Sequence, residues 1–149
     1  MADNMRWRYG ETNSVVGLCP ATVAVEIGDL VYHDSDAVKP ASSQSNQSTK
    51  ALNQSVFAGK FLGVAMQSSP LGEATLIRVA TSGVFEFDTN VQTFVLGQLV
   101  GIDELPGRTG VENQKVDTSV GAGSVGRVAR REPAASSSVL VSIKSKIIE

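Results

Sequence analysis

The chain has 149 residues, 42% hydrophobic and 19% charged, which is enough to bury one respectable core and too few for two ordinary domains. Its net charge of −2 excludes a surface built throughout to hold nucleic acid, which needs a concentrated positive field. The single cysteine, Cys19, excludes an intrachain disulfide, and an aromatic share of 5% leaves the core mainly to aliphatic side chains.

Residues 1–20 show neither a helical nor a strand period and end at Cys19-Pro20, where proline holds its predecessor extended; they read as an N-terminal arm. Asp3, Arg6 and Arg8 precede no apolar run, so no secretory leader is expected, and no stretch reaches membrane-spanning length. A chain made and assembled in the cytoplasm fits. Residues 21–149 read as a single β domain. Strands over 22–25 and 30–32 flank a turn at Glu26-Ile27-Gly28-Asp29. The segment 41–55, ASSQSNQSTKALNQS, is polar and low in complexity, and is expected to be a long loop that orders only on contact.

Strand signals then crowd together at 60–65, 75–81 and 84–87. The apolar run Thr75-Leu76-Ile77-Arg78-Val79-Ala80-Thr81 predicts a strand covered on both faces, with Arg78 reaching solvent or a partner. Further strands are expected at 94–96, 98–102, 114–116 and 125–129. In the last, 138–144, Val139, Val141 and Ile143 alternate with Leu140, Ser142 and Lys144, the period of two that marks one buried face. At most one short helix is expected.

A weak internal duplication runs through this order. Gly28-Asp29-Leu30-Val31 is echoed by Gly97-Gln98-Leu99-Val100, Leu62-Gly63-Val64-Ala65 by Val125-Gly126-Arg127-Val128, and residues 74–79 by residues 138–143. Neither half can bury its apolar face alone. The prediction is an all-β fold, a compact β-barrel or β-sandwich built from two weakly duplicated halves.

The order "GDLVY", "GKFLGVA", a Gly-Glu turn with a strand running into "SGVFEF", "GQLVG" and a closing "VGRVA" resembles the capsid cement, or head-decoration, proteins of tailed bacteriophages. The resemblance covers roughly residues 23–143 and rests on the order of short glycine-centred motifs. It implies a β-barrel or sandwich, a homotrimer on the outside of the mature head, a major capsid protein as partner, a virion location, and no role for nucleic acid or membrane. The Ser/Gln-rich insertion at 41–55 and the long arm depart from the family pattern. A tail, baseplate or receptor-binding module, or a small ligand-binding barrel or enzyme, are the alternatives.

Chemistry-bearing motifs are few. Gly121-Ala122-Gly123-Ser124-Val125-Gly126 matches the dinucleotide fingerprint but leads into a strand, where no helix N-terminus can face a pyrophosphate, and reads as a turn. His33, the only histidine, lies beside Asp34 and Asp36 without a second imidazole and reads as a surface turn. No catalytic residue, cofactor site or metal site is expected. Arg6-Trp7-Arg8-Tyr9 is the candidate interface, since Trp, Tyr and Arg dominate interface hot spots; the competing reading is a strand packing Trp7 and Tyr9 on its own core. Arg127, Arg130 and Arg131 are candidates to face an acidic patch on a shell protein, or simply keep the surface soluble.

Overall fold

The computed structural model describes residues 3–148. Eleven strands and one helix follow one another as β1 (Trp7–Tyr9), β2 (Val15–Cys19), β3 (Leu30–Asp34), β4 (Ala37–Pro40), α1 (Lys50–Ala58), β5 (Phe61–Ala65), β6 (Thr75–Ala80), β7 (Ser82–Phe94), β8 (Leu99–Glu104), β9 (Val111–Thr118), β10 (Gly126–Val128) and β11 (Glu132–Lys144). With 50% strand against 14% helix, the fold is all-β, as the sequence predicts.

The duplicated halves are two closed five-stranded barrels. The first closes in the order β2-β4-β3-β5-β6 and the second in the order β7-β9-β8-β10-β11, with β1 added to β7 as an extra strand. Each ring has four antiparallel pairings and one parallel one, between its first and third strands. The correspondence holds residue by residue. Val31 faces Gly63 as Val100 faces Gly126, His33 faces Val38 as Ile102 faces Val116, Leu18 faces Ala37 as Asp88 faces Lys115, and Val15 faces Val79 as Phe85 faces Val141.

Two pairs of glycines explain why the repeat left a trace. Gly28 and Gly97 turn the chain into β3 and β8 at φ of +98° and +83°, the left-handed region that glycine enters without steric cost. At Gly63 and Gly126 a side chain would collide with the carbonyl oxygens of Ala80 and Ser142 on the neighbouring strand. The first two echoes match in register. The third pairs the right strands two residues out, since Val79 corresponds to Val141 and not to Ile143. A two-residue slip keeps every side chain on its face, so a period-two pattern cannot detect it.

Cys19, Val25, Val31, Val38, Leu62, Ala65, Ile77 and Val79 fill the first barrel. A larger cluster runs through the second barrel, including Phe85, Phe87, Val100, Ile102, Val116 and Val141, and continues to Phe57 on α1 and to Leu30, Tyr32 and Phe61 on the first barrel. Thus β5 is buried along its whole length, with one barrel inside it and the other against it. β6 passes into β7 through a single residue, Thr81, which is fully buried and donates its hydroxyl to the Asn13 carbonyl at 2.7 Å.

Four expectations need correction. Residues 22–25 form no strand, only a turn and bend ending in an isolated bridge from Val25 to Ser69. Residues 1–20 are not an arm throughout, because Val15–Cys19 is a stave of the first barrel, paired with β6 at five positions. The segment 41–55 is not a bare loop. It contains a 3-10 turn at Ala41–Ser43 and most of α1, whose first turn is capped by the Thr49 hydroxyl accepting from Leu52 N–H at 3.2 Å. Finally, β6 is covered on one face only, since Leu76 is 66% exposed. The insertion and the arm both brace the second barrel. Gln54 of α1 donates to the carbonyls of Ile102 and Thr118 at 3.1 and 3.2 Å, while β1 lines the edge of β7.

Candidate interaction surface

The arm is pinned by Arg6, which is buried rather than offered to a partner. Its guanidinium donates to Gln114 Oε1 at 2.7 Å and to the Glu86 carbonyl at 3.1 Å, pairs with Asp88 at 3.2 Å, and lies 6.0 Å from the centre of the Phe87 ring. Gln114 in turn donates to Asp29 Oδ1 at 2.9 Å, so the arm, the Gly28 turn of the first barrel and β9 of the second meet at one buried polar node. Desolvation raises the Asp29 carboxyl above its ordinary range, against bonds from the Glu26 N–H and Gln114 that lower it. Arg6 therefore leaves the candidate interface.

The other candidates stay at the surface, and the sheet brings several together. Across the order β1-β7-β11-β10, Tyr9 lies opposite Val84, Val84 opposite Ser142, and Ser142 opposite Arg127. Tyr9 and Arg127 are thus three strands apart, roughly 14 Å at the usual strand spacing. Arg8 pairs with Glu86 at 3.0 Å, and Arg130 pairs with Glu132 at 3.1 Å. Hydrogen bonds from Ser138 and then Arg8, with Arg130 nearby, hold the Glu86 carboxyl below its usual range. Arg131 is exposed on the same approach to β11. Trp7 is 39% exposed and donates its indole N–H to the Gly10 carbonyl at 3.0 Å. It is neither a core residue nor free of its own chain.

No family model matches the sequence, and no curated protein matches it. The surface must therefore speak through its own chemistry.

A groove of about 790 Å³ is lined by Leu96, Leu99, Val125 and Ile148 together with Arg127 and Lys144. An internal charged cluster lies elsewhere on the second barrel. Lys50 from α1 contacts Asp117, and lies 3.1 Å from Asp103, while Gln92 donates to Asp117 at 2.9 Å. Burial pushes Lys50 down and Asp117 up, but their mutual bonds outweigh it, leaving Lys50 above and Asp117 below their ordinary values. That pair is a salt-bridged latch on α1. His33 sits in β3 opposite Val38, and Gly121–Gly123 is a 3-10 turn leading into β10.

One surface escaped the sequence reading. Val16 and Leu18 on β2 and Leu76 on β6 are 61%, 42% and 66% exposed, and Leu18 lies directly opposite Leu76. The signal was the unbroken run Val15-Val16-Gly17-Leu18-Cys19, in which only alternate residues are needed for the barrel interior.

Proposed function

We propose that the protein is a non-catalytic structural component of a tailed-phage virion, a homotrimer that binds the outside of the head and bridges major capsid proteins. The observation that carries this reading is the ordered set of glycine-centred motifs, now seen as turns and close approaches in a doubled barrel that presents separate contact surfaces on its two halves. A bridging protein needs at least two such surfaces. The arginine-bearing sheet with Tyr9 and Trp7 suits a polar shell surface, and the bare face of β2 and β6 suits an apolar one. A ligand that binds only the expanded shell stabilises that state by its differential affinity, and three linked contacts reinforce one another.

The test is co-sedimentation of purified protein with expanded heads that lack it, with sedimentation equilibrium of the free protein. Saturable binding to expanded heads and a trimer are expected. No retention on heads, or a monomer at high concentration, would refute the respective halves of the reading.

A further inference from the structure

The two barrels are matched strand for strand, yet one slot is filled in the second and empty in the first. In the second barrel the edge of β7 ahead of Asp88 is occupied by β1, with Trp7 opposite Phe85 and the Glu86 N–H donating to the Arg6 carbonyl at 2.9 Å. The corresponding edge of β2 lies ahead of Leu18, where Val16 stands in the place of Glu86. Among the described residues, β4 meets β2 only at Leu18–Ala37, and no strand pairs with this edge before it. The backbone groups that β7 satisfies through β1 thus face outward on β2, beside the exposed side chains of Val16, Leu18 and Leu76.

From this we infer that the free edge of β2 is a strand-addition site for an extended segment of another protein, with apolar side chains at alternate positions and a carboxylate placed to meet Arg78. The chain's own filled slot supplies the rule. There Arg6 pairs with Asp88 and Arg8 with Glu86, charge against charge; the corresponding Leu18 and Val16 call for apolar side chains. Arg78 lies exposed directly across from Val16, and among the described residues no carboxylate pairs with it.

A second copy is a poor occupant. Its β1 carries arginines where apolar groups are wanted, and the outer edge of that strand is closed by Arg8, which donates to the Met5 and Trp7 carbonyls at 2.9 and 3.1 Å. Pairing β2 with β2 is isologous, and on a trimer it would chain trimers together rather than close one. On the reading proposed above, the segment belongs to a shell subunit.

The probe is the synthetic peptide acetyl-Thr-Val-Thr-Glu-Thr-Leu-Thr-amide, whose Val, Glu and Leu share one face, with amide hydrogen exchange read on the whole protein and head retention read in parallel. Protection at Val16, the open position ahead of the Leu18–Ala37 pairing, but not at residues 84–86 is expected. Val16→Glu/Leu18→Glu should weaken peptide binding at least about tenfold and release the protein from heads, while Val16→Thr/Leu18→Thr, which keeps strand propensity, should show the same trend with an unaltered fold. Unprotected β2 amides, or peptide binding unchanged in both variants, would overturn the site. A wild-type dimer that both variants dissolve would assign the edge to a second copy and overturn the partner. If wild type ignores heads while the peptide protects β2, the head-binding reading fails and the strand site stands. If wild type and variants are retained equally on heads, the strand site fails and head binding stands.

Discussion

Replacing Arg6 with alanine tests whether the arm is a brace or an attachment device. The substitution removes a charge-assisted bond to a side chain, Gln114, that is 1% exposed, and leaves Gln114 Oε1 without its donor. Such a loss is worth ~1.5–3 kcal/mol. The Asp88 partner is 63% exposed on its side chain, so that ion pair adds no more than about 1 kcal/mol. The contact over Phe87, at 6.0 Å, adds about 0.5 kcal/mol. The expected cost is about 3 kcal/mol, which for a chain of this size lowers Tm by roughly 6–12 °C. Arg8→Ala, which removes an exposed pair with Glu86, should cost under ~1 kcal/mol. Urea and thermal unfolding of both variants measure the difference. If Arg6→Ala costs under ~1 kcal/mol, or no more than Arg8→Ala, the buried node does not hold the arm and the reasoning fails.

Deleting residues 1–18 removes most of β2 and should unfold the first barrel, seen as loss of its slowly exchanging amides, whereas deleting residues 1–10 should leave both barrels closed. Trp7→Ala should leave unfolding nearly unchanged while weakening head binding by about 2 kcal/mol if Trp7 is an anchor, read by quantitative co-sedimentation. Gly63→Ala and Gly126→Ala should each cost about 3 kcal/mol in denaturant titrations, since both meet a backbone carbonyl. Asp117 is held below its ordinary value, so its contribution is present above the unfolded pKa near ~3.9 and is lost as pH falls through the lower folded value. Thermal unfolding of wild type against Lys50→Met should therefore differ most at neutral pH and converge as the pH falls below ~3.9; a gap that persists in strong acid would show that Lys50 acts by packing.

The glycine echoes were legible because backbone geometry dictates them, whatever the rest of the strand carries. The arm and the insertion were misread for a shared reason. Asn53 and Gln54 look like solvent-facing residues, yet both are buried because their amides satisfy Glu104, Asn46 and the carbonyls of Ile102 on β8 and Thr118 on β9. Arg6 is the same case, a charge whose partners, Gln114 and Asp88, lie 108 and 82 residues away. Local pattern carries no record of such distant partners. The exposed face of β2 was hidden differently, since an apolar residue on a bare face and one on a covered face are the same letter.

The pairing of first strand with last in each ring has a consequence for the order of events during synthesis. β2 cannot find β6 until some 60 residues later, and β7 must wait equally long for β11. The first barrel can close while the second is still unmade, yet β1, which emerges before either, has no seat until β7 appears. The residues of β1 thus dock after strands made well behind them, in a long-range search that favours slow, cooperative folding.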